Sequence, residues 1–261
     1  MAAFAGNSLL CRVALRETSI DAATFTAVRI GSGAVVLWLI VRARGGARVG
    51  SWISAFWLFA YAAGFSFAYL SLTAGTGALL LFGAVQATMI GHALHGGDRL
   101  GAVAMVGLAI AFAGLAALLA PGLSAPPLAG AALMLFAGFS WGMYSLRGRG
   151  ASDPTAITSG NFMRAAPMAL ALAIGMLPWA SIDARGAMLA IASGAVASGL
   201  GYAIWYTALR GLRPTSAASV QLSVPAIAAI GGVVLLGEPI TARLVIASVA
   251  ILGGVALALR R

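Results

Sequence analysis

Two arginines of this chain stand in company that ionised side chains avoid. Arg29 lies inside the apolar run Ala22–Val41, and Arg164 lies near the middle of Thr155–Leu177. In hydrocarbon such a charge costs about 2.5–3.5 kcal/mol, so each needs a reason to be there. One reason is chemical: a guanidinium attracts and holds an anionic group such as a substrate carboxylate. The other is structural: the side chain snorkels, caps backbone carbonyls or braces a helix bundle. Both readings stay open for both residues, and Arg29 is the nearer to an interface.

Acidic groups are informative by position. Glu17, Asp21, Asp98, Asp153, Asp183 and Glu238 all fall at expected helix ends. Asp21 and Asp153 read as N-caps, with Pro154 a favoured first-turn residue. Asp98 and Glu238 each follow glycine and open the next helix, so capping is expected of them too. No carboxylate lies deep in an apolar run, which disfavours an exchanger of protons for cationic drugs; Asn7 cannot titrate. His92 is the candidate for a proton relay, with His95 three residues on, although both also suit a membrane interface. Two histidines without a carboxylate make a poor metal site. The single Cys11 allows neither an internal disulfide nor a cysteine cluster. No cofactor or metal is expected.

Substrate contacts are sought among polar and aromatic residues within the apolar runs. Asn7, Gln86 and Gln221 offer both donors and acceptors where hydrocarbon offers none. Trp141 and Tyr144, three apart, share a helix face, as do Tyr202 and Tyr206, four apart. An aromatic-walled cavity with a few amides suits neutral or zwitterionic metabolites; packing and interfacial anchoring are the alternative uses of these rings. Gly138 and Gly142 form a GxxxG pair that allows close helix approach. Pro167 and Pro225 free backbone carbonyls inside runs and are hinges or static kinks. The sequence has no HExxH, no GxSxG and no buried aspartate pair, so an enzyme is not expected.

The elements that must hold these residues are transmembrane helices. Of 261 residues, 61% are hydrophobic and 8% charged, with mean hydropathy +1.00; a soluble surface needs far more charge. Apolar runs predict ten helices over Met1–Leu15, Ala22–Val41, Trp52–Leu72, Gly77–Leu94, Leu100–Ala120, Leu128–Leu146, Thr155–Leu177, Ala187–Leu209, Thr215–Leu236 and Ile240–Leu259. The short connections leave no room for a soluble domain. Before Arg12 the first run reaches only about 16 Å, so a further turn or two is expected upstream of Met1. The net charge of +10 comes entirely from arginine and follows the positive-inside pattern, not that of a nucleic-acid surface. With the N-terminus inside, Arg42, Arg44, Arg48, Arg99, Arg147, Arg149, Arg210, Arg213, Arg260 and Arg261 face the cytoplasm. Arg12, Arg16, Arg185 and Arg243 face outward. Both termini are therefore expected in the cytoplasm, and the protein in the inner membrane.

A duplication is expected as well. Phe4–Ser8 reads FAGNS and Phe136–Ser140 reads FAGFS, about half a chain apart. Asp21 answers Asp153, Gly96–Leu100 (GGDRL) answers Leu236–Ile240 (LGEPI), and Tyr69 answers Tyr206. Five spans per copy is odd, so the copies are inverted, as in secondary transporters. The predicted architecture is all-α: ten transmembrane helices as two inverted five-helix repeats, residues 1–125 and 126–261.

Ser140–Leu146 (SWGMYSL), the stretch Gly201–Thr241 and Ala247–Leu257 (ASVAILGGVAL) resemble EamA-type members of the drug/metabolite transporter superfamily. Phe25–Ile30 and Ala78–Leu94 resemble it more loosely. The resemblance implies ten helices with cytoplasmic ends, and export of small metabolites or toxic compounds through a central cavity lined mainly by the first, third and fourth helices of each half. Family members commonly carry proline in the helix before the Gly-Glu step. Pro225 fits, whereas the first half has Val85 and Gln86. The expected function is inner-membrane secondary transport, exporting small amino-acid-like or carboxylate metabolites by alternating access. The alternative is export of hydrophobic drugs or lipid-like molecules with structural arginines. The expected partners are the substrate and the bilayer, with the protein a monomer or weak homodimer.

Overall fold

A computed structural model describes residues 1–46, 49–97, 101–122, 125–148, 152–209 and 220–259, apart from the side chains of Tyr206 and Leu209. Helices α1 (Ala2–Glu17), α2 (Ala22–Ala43), α3 (Trp52–Ala68), α4 (Ala74–His95) and α5 (Ala102–Leu119) come first. Then come α6 (Leu128–Arg147), α7 (Pro154–Gly175), a 3₁₀ turn (Leu177–Trp179) and α8 (Ala184–Ile191). α8 continues without a break through a π-helical segment, Ala192–Leu200, into α9 (Gly201–Leu209). α10 (Ser223–Leu236) and α11 (Ala242–Ala258) complete the order, and no strand occurs among the described residues.

Local chemistry sets most starts. Asp21 Oδ1 accepts from the N–H groups of Ala23 and Thr24, each at 2.9 Å. Asp153 Oδ1 accepts from Ala156 N–H at 3.0 Å, with Pro154 in the first turn. Both are N-caps as their sequence positions suggest. Ser51, Thr73, Asp183 and Thr241 cap α3, α4, α8 and α11 likewise. α1 runs on through Arg12 to Glu17, further than its apolar run. Two expected spans are not single α-helices. The eighth is α–π–α, and the ninth is interrupted by a turn at Leu222, just before Pro225. Proline lacks an N–H and crowds the carbonyl four residues back, here that of Gln221.

α2, α4, α5, α6 and the continuous rod Ala184–Trp205 are long and apolar enough to cross a membrane; α3, α10 and α11 are shorter apolar helices. α5 packs along α11, and the two turn Met105, Phe112, Ile246 and Val249 outward. Exposed apolar side chains on spans of this length are lipid-facing surface. The chain is an integral membrane protein.

Inside the bundle α2 packs on α7 and the π segment, α3 on α6 and α7, α4 on α6 and α10, and α1 on α8, the π segment and α10. The GxxxG pair sets the α4–α6 approach: a Cβ on Gly138 would stand 2.6 Å from that of Ala84, and one on Gly142 2.8 Å from Thr88 Cβ. The connections are tied in pairs. Asp21 N donates to Ser181 O and Ser181 N to Asp21 Oδ2, both at 3.0 Å. Arg243 donates to the carbonyls of Leu118, Ala120 and Pro121.

Candidate functional site

The site is built around Arg29 of α2. The residue is 2% exposed, so its charge is inside the bundle and not at an edge. Nη2 donates to Tyr61 Oη of α3 at 3.0 Å, and Nε donates to Ser198 Oγ of the π segment at 3.4 Å. The guanidinium carbon lies 5.2 Å from the Tyr61 ring centroid and 4.9 Å from that of Phe65, within cation–π range. Nη1 is buried without a hydrogen-bond partner. The ion pairs among the described residues are Arg12–Glu238 and Arg185–Glu17; neither involves Arg29.

Asn7 of α1 extends the cluster. Its Nδ2 donates to Tyr61 Oη at 3.4 Å, and its Oδ1 accepts from Ser193 Oγ at 2.6 Å. Ser193 and Ser198 are five residues apart on the π segment, whose hydrogen bonds run from i to i+5. Gly194 lets that segment reach α2, because a Cβ there would collide with the Arg29 carbonyl oxygen.

An aromatic layer adjoins the cluster. The Trp141 ring centroid lies 4.9 Å from Tyr61, 5.4 Å from Tyr144 and 5.2 Å from Tyr202. Phe4 meets Trp141, Tyr202 and Trp205, and Phe162 meets Tyr202. Beyond Tyr144, Asn161 Nδ2 donates to Tyr144 Oη at 3.5 Å while its Oδ1 accepts from Ser51 N at 2.9 Å. Arg147 Nε donates to Ser54 Oγ at 3.2 Å, and these residues line a polar recess with Pro154, Ile157 and Thr158.

The structure thus brings Asn7, Arg29, Trp141, Tyr144 and Tyr202 together. Gln86 is buried in α4 and Gln221 half-buried before the turn at Leu222; neither hydrogen-bonds to the cluster. Arg164 is half-buried against the α2–α3 connection near Gly50, its Nη1 donating to Gly160 O one turn back at 2.9 Å. His92 and His95 are exposed in the last turn of α4. Pro167 is exposed within α7, whereas Pro225 is buried in the first turn of α10. Asp98 and the Tyr206 side chain lie outside the described residues.

Glu238 departs from expectation. α11 is capped by Thr241, whose Oγ1 accepts from Leu244 N–H at 3.1 Å. Glu238 instead reaches α4, where Oε2 accepts from Ala74 N–H at 2.8 Å, and pairs with Arg12 through Oε1 at 3.0 Å. Proximity in space overrides proximity in sequence, because α4 offers an uncapped N–H beside a cation. Sequence reasoning also passed over Tyr61, Ser193 and Ser198. Tyr61 stands in WLFAYAAGFSF with four other aromatics nearby and nothing to single it out. The serines carried a usable signal, the doublet Ser-Gly repeated at an interval of five in Ser193–Gly199.

Among the described residues the bundle is apolar toward lipid and holds a buried polar cluster around Arg29. The chain belongs to the EamA-like transporter family, whose members are membrane transporters and not enzymes; the family match covers residues 128–260. It is 53% identical to the uncharacterized protein PA1977 of Pseudomonas aeruginosa over 99% of this chain and 91% of that one. A solved crystal structure shares the fold, with a TM-score of 0.69 at 22% identity over 98% of this chain and 97% of its own.

Proposed function

We propose that the protein is an inner-membrane secondary transporter that exports small amino-acid-like or carboxylate metabolites. The observation that carries this reading is Arg29, an arginine inside a transporter bundle with an unsatisfied donor and no described carboxylate partner. A fixed buried charge without a counter-ion lowers stability, so its presence here speaks for a ligand that supplies the negative charge.

The mechanism is alternating access by two inverted five-helix repeats, residues 1–125 and 126–261. The packing pattern supports it. Number the spans one to ten, with α8, the π segment and α9 as the eighth, and exchange each span with the one five places on. α2 on α7, α4 on α10 and α5 on α11 then map onto themselves, while α3 on α6 maps onto the eighth span on α1. Rocking of such halves opens a midplane site first to one side and then to the other. Both termini lie in the cytoplasm by the arginine distribution. The protein works as a monomer or weak homodimer.

The test is counterflow in proteoliposomes with labelled anionic, zwitterionic and cationic metabolites, with and without a pH gradient. Uptake of carboxylates or amino acids that depends on Arg29 supports the reading. Movement of cationic drugs alone would sink its substrate part.

A further inference from the structure

Arg29 and Tyr61 present donors that the hydrogen bonds of the described cluster leave untaken, and these define a ligand. A guanidinium offers five N–H groups and no acceptor. Nη2 and Nε are engaged by Tyr61 and Ser198, while Nη1 has no partner. The Tyr61 hydroxyl receives hydrogen bonds from both Arg29 Nη2 and Asn7 Nδ2. Two incoming bonds fill its lone pairs, so its own proton must be given away. In this arrangement the Tyr61 proton does not go to Asn7, whose amide turns Nδ2 toward Tyr61 while its Oδ1 accepts from Ser193 Oγ. Arg29 Nη1 therefore has no partner, and none of the cluster's described hydrogen bonds takes up the Tyr61 proton.

The chemical complement of adjacent donors, one of them cationic, is a pair of coplanar anionic oxygens. We infer that Arg29 Nη1 and Tyr61 Oη form a carboxylate subsite, and that the transported molecule is a monocarboxylate with a flat apolar body. This rests on the transport reading above and narrows it, because it excludes a required amino group. An ammonium is held best by a carboxylate, and no described carboxylate pairs within the cluster, where Asn7 Oδ1 already accepts from Ser193. A second carboxylate on the ligand would have no second described arginine there, since Arg164 turns to its own helix at Gly160. The rings of Phe65, Trp141 and Tyr202 supply the flat apolar wall. They fill the centre in this conformation, so the ligand enters as the halves part.

Binding to the purified protein in detergent tests the subsite, read by calorimetric titration with phenylacetate, its methyl ester and phenylalanine. Phenylacetate should bind, the ester should not, and phenylalanine should bind more weakly than phenylacetate. Tyr61→Phe keeps the ring and should weaken phenylacetate about tenfold. Arg29→Gln should abolish binding, and Arg29→Lys should restore only part of it. Failure of all three to bind, equal binding of acid and ester, tighter binding of phenylalanine, or unchanged affinity in Tyr61→Phe would each overturn the subsite. The three wild-type titrations decide the matter even where a variant does not fold. Counterflow of any labelled carboxylate or amino acid by the same preparation keeps the transport reading standing when the subsite fails; if nothing moves, the transport reading is what fell.

Discussion

Nε of Arg12 lies 3.0 Å from Oε1 of Glu238, 226 residues further along the chain. The two side chains are 12% and 5% exposed, so this is an interior pair at one end of the bundle. Arg12 Nη1 also donates to Tyr69 O at 2.8 Å, and Arg16 Nη1 to Leu236 O at 3.1 Å. With Glu238 holding Ala74 N–H, the pair joins α1, the α3–α4 turn and the α10–α11 connection.

Removing one partner strands the other. Arg12→Ala and Glu238→Ala are each expected to cost about 3 kcal/mol, seen as a lower melting temperature in detergent. The double variant should cost less than the sum of the two. Additive losses in that cycle would mean the ionic contact is incidental.

Arg29 should behave in the opposite way. Arg29→Met fills similar volume without a buried unpaired charge, so its melting temperature is expected to match or exceed that of the parent protein. Transport of anionic substrate should be lost in the same variant. A melt that collapses with Arg29→Met would make the arginine a structural brace.

Gly194 sets how closely the π segment approaches α2. Gly194→Ala places a methyl group into the Arg29 carbonyl, and backbone is slow to yield. A cost of about 1–3 kcal/mol is expected, together with loss of the Ser198 contact to Arg29. Thermal melting and counterflow measured side by side check this; an unchanged variant would show that the two helices part freely.

Acid should loosen the connections. Burial alone would raise the Asp21 carboxyl, but hydrogen bonds from Thr24, Ser181 and Ala23 outweigh it and hold the group below its ordinary 3.8. A depressed folded value means that this contribution is complete above the unfolded pKa and is lost as pH falls through the folded one. Melting temperatures recorded from pH 6 down to about pH 3 should fall less steeply for Asp21→Asn than for the parent chain. Parallel curves would refute the assignment.

Those features read correctly from sequence were local or compositional. Asp21 and Asp153 announce helix starts because a capping carboxylate acts on N–H groups two or three residues away. Arg29 stands out because an ionised group in an apolar run is rare. The partners of Arg29 were hidden for the opposite reason: Tyr61 and Ser198 reach it across the bundle, from separate helices. Glu238 misled because its glycine neighbour and the following helix suggest a local cap, whereas its contacts are with Arg12 and Ala74. The π segment went unread because alanine, glycine and serine are compatible with any packed membrane helix.

That segment has an angular consequence. In an α-helix, successive residues advance about 100° around the axis, so residues five apart diverge by about 140°. Ser193 and Ser198 would then look in different directions, and one helix could satisfy Asn7 or Arg29 but not both. The wider turn brings the two hydroxyls back into phase. Straightening it would force the helix to release one partner on tightening onto the other, and would roll α9, with Tyr202, around its axis in the same motion.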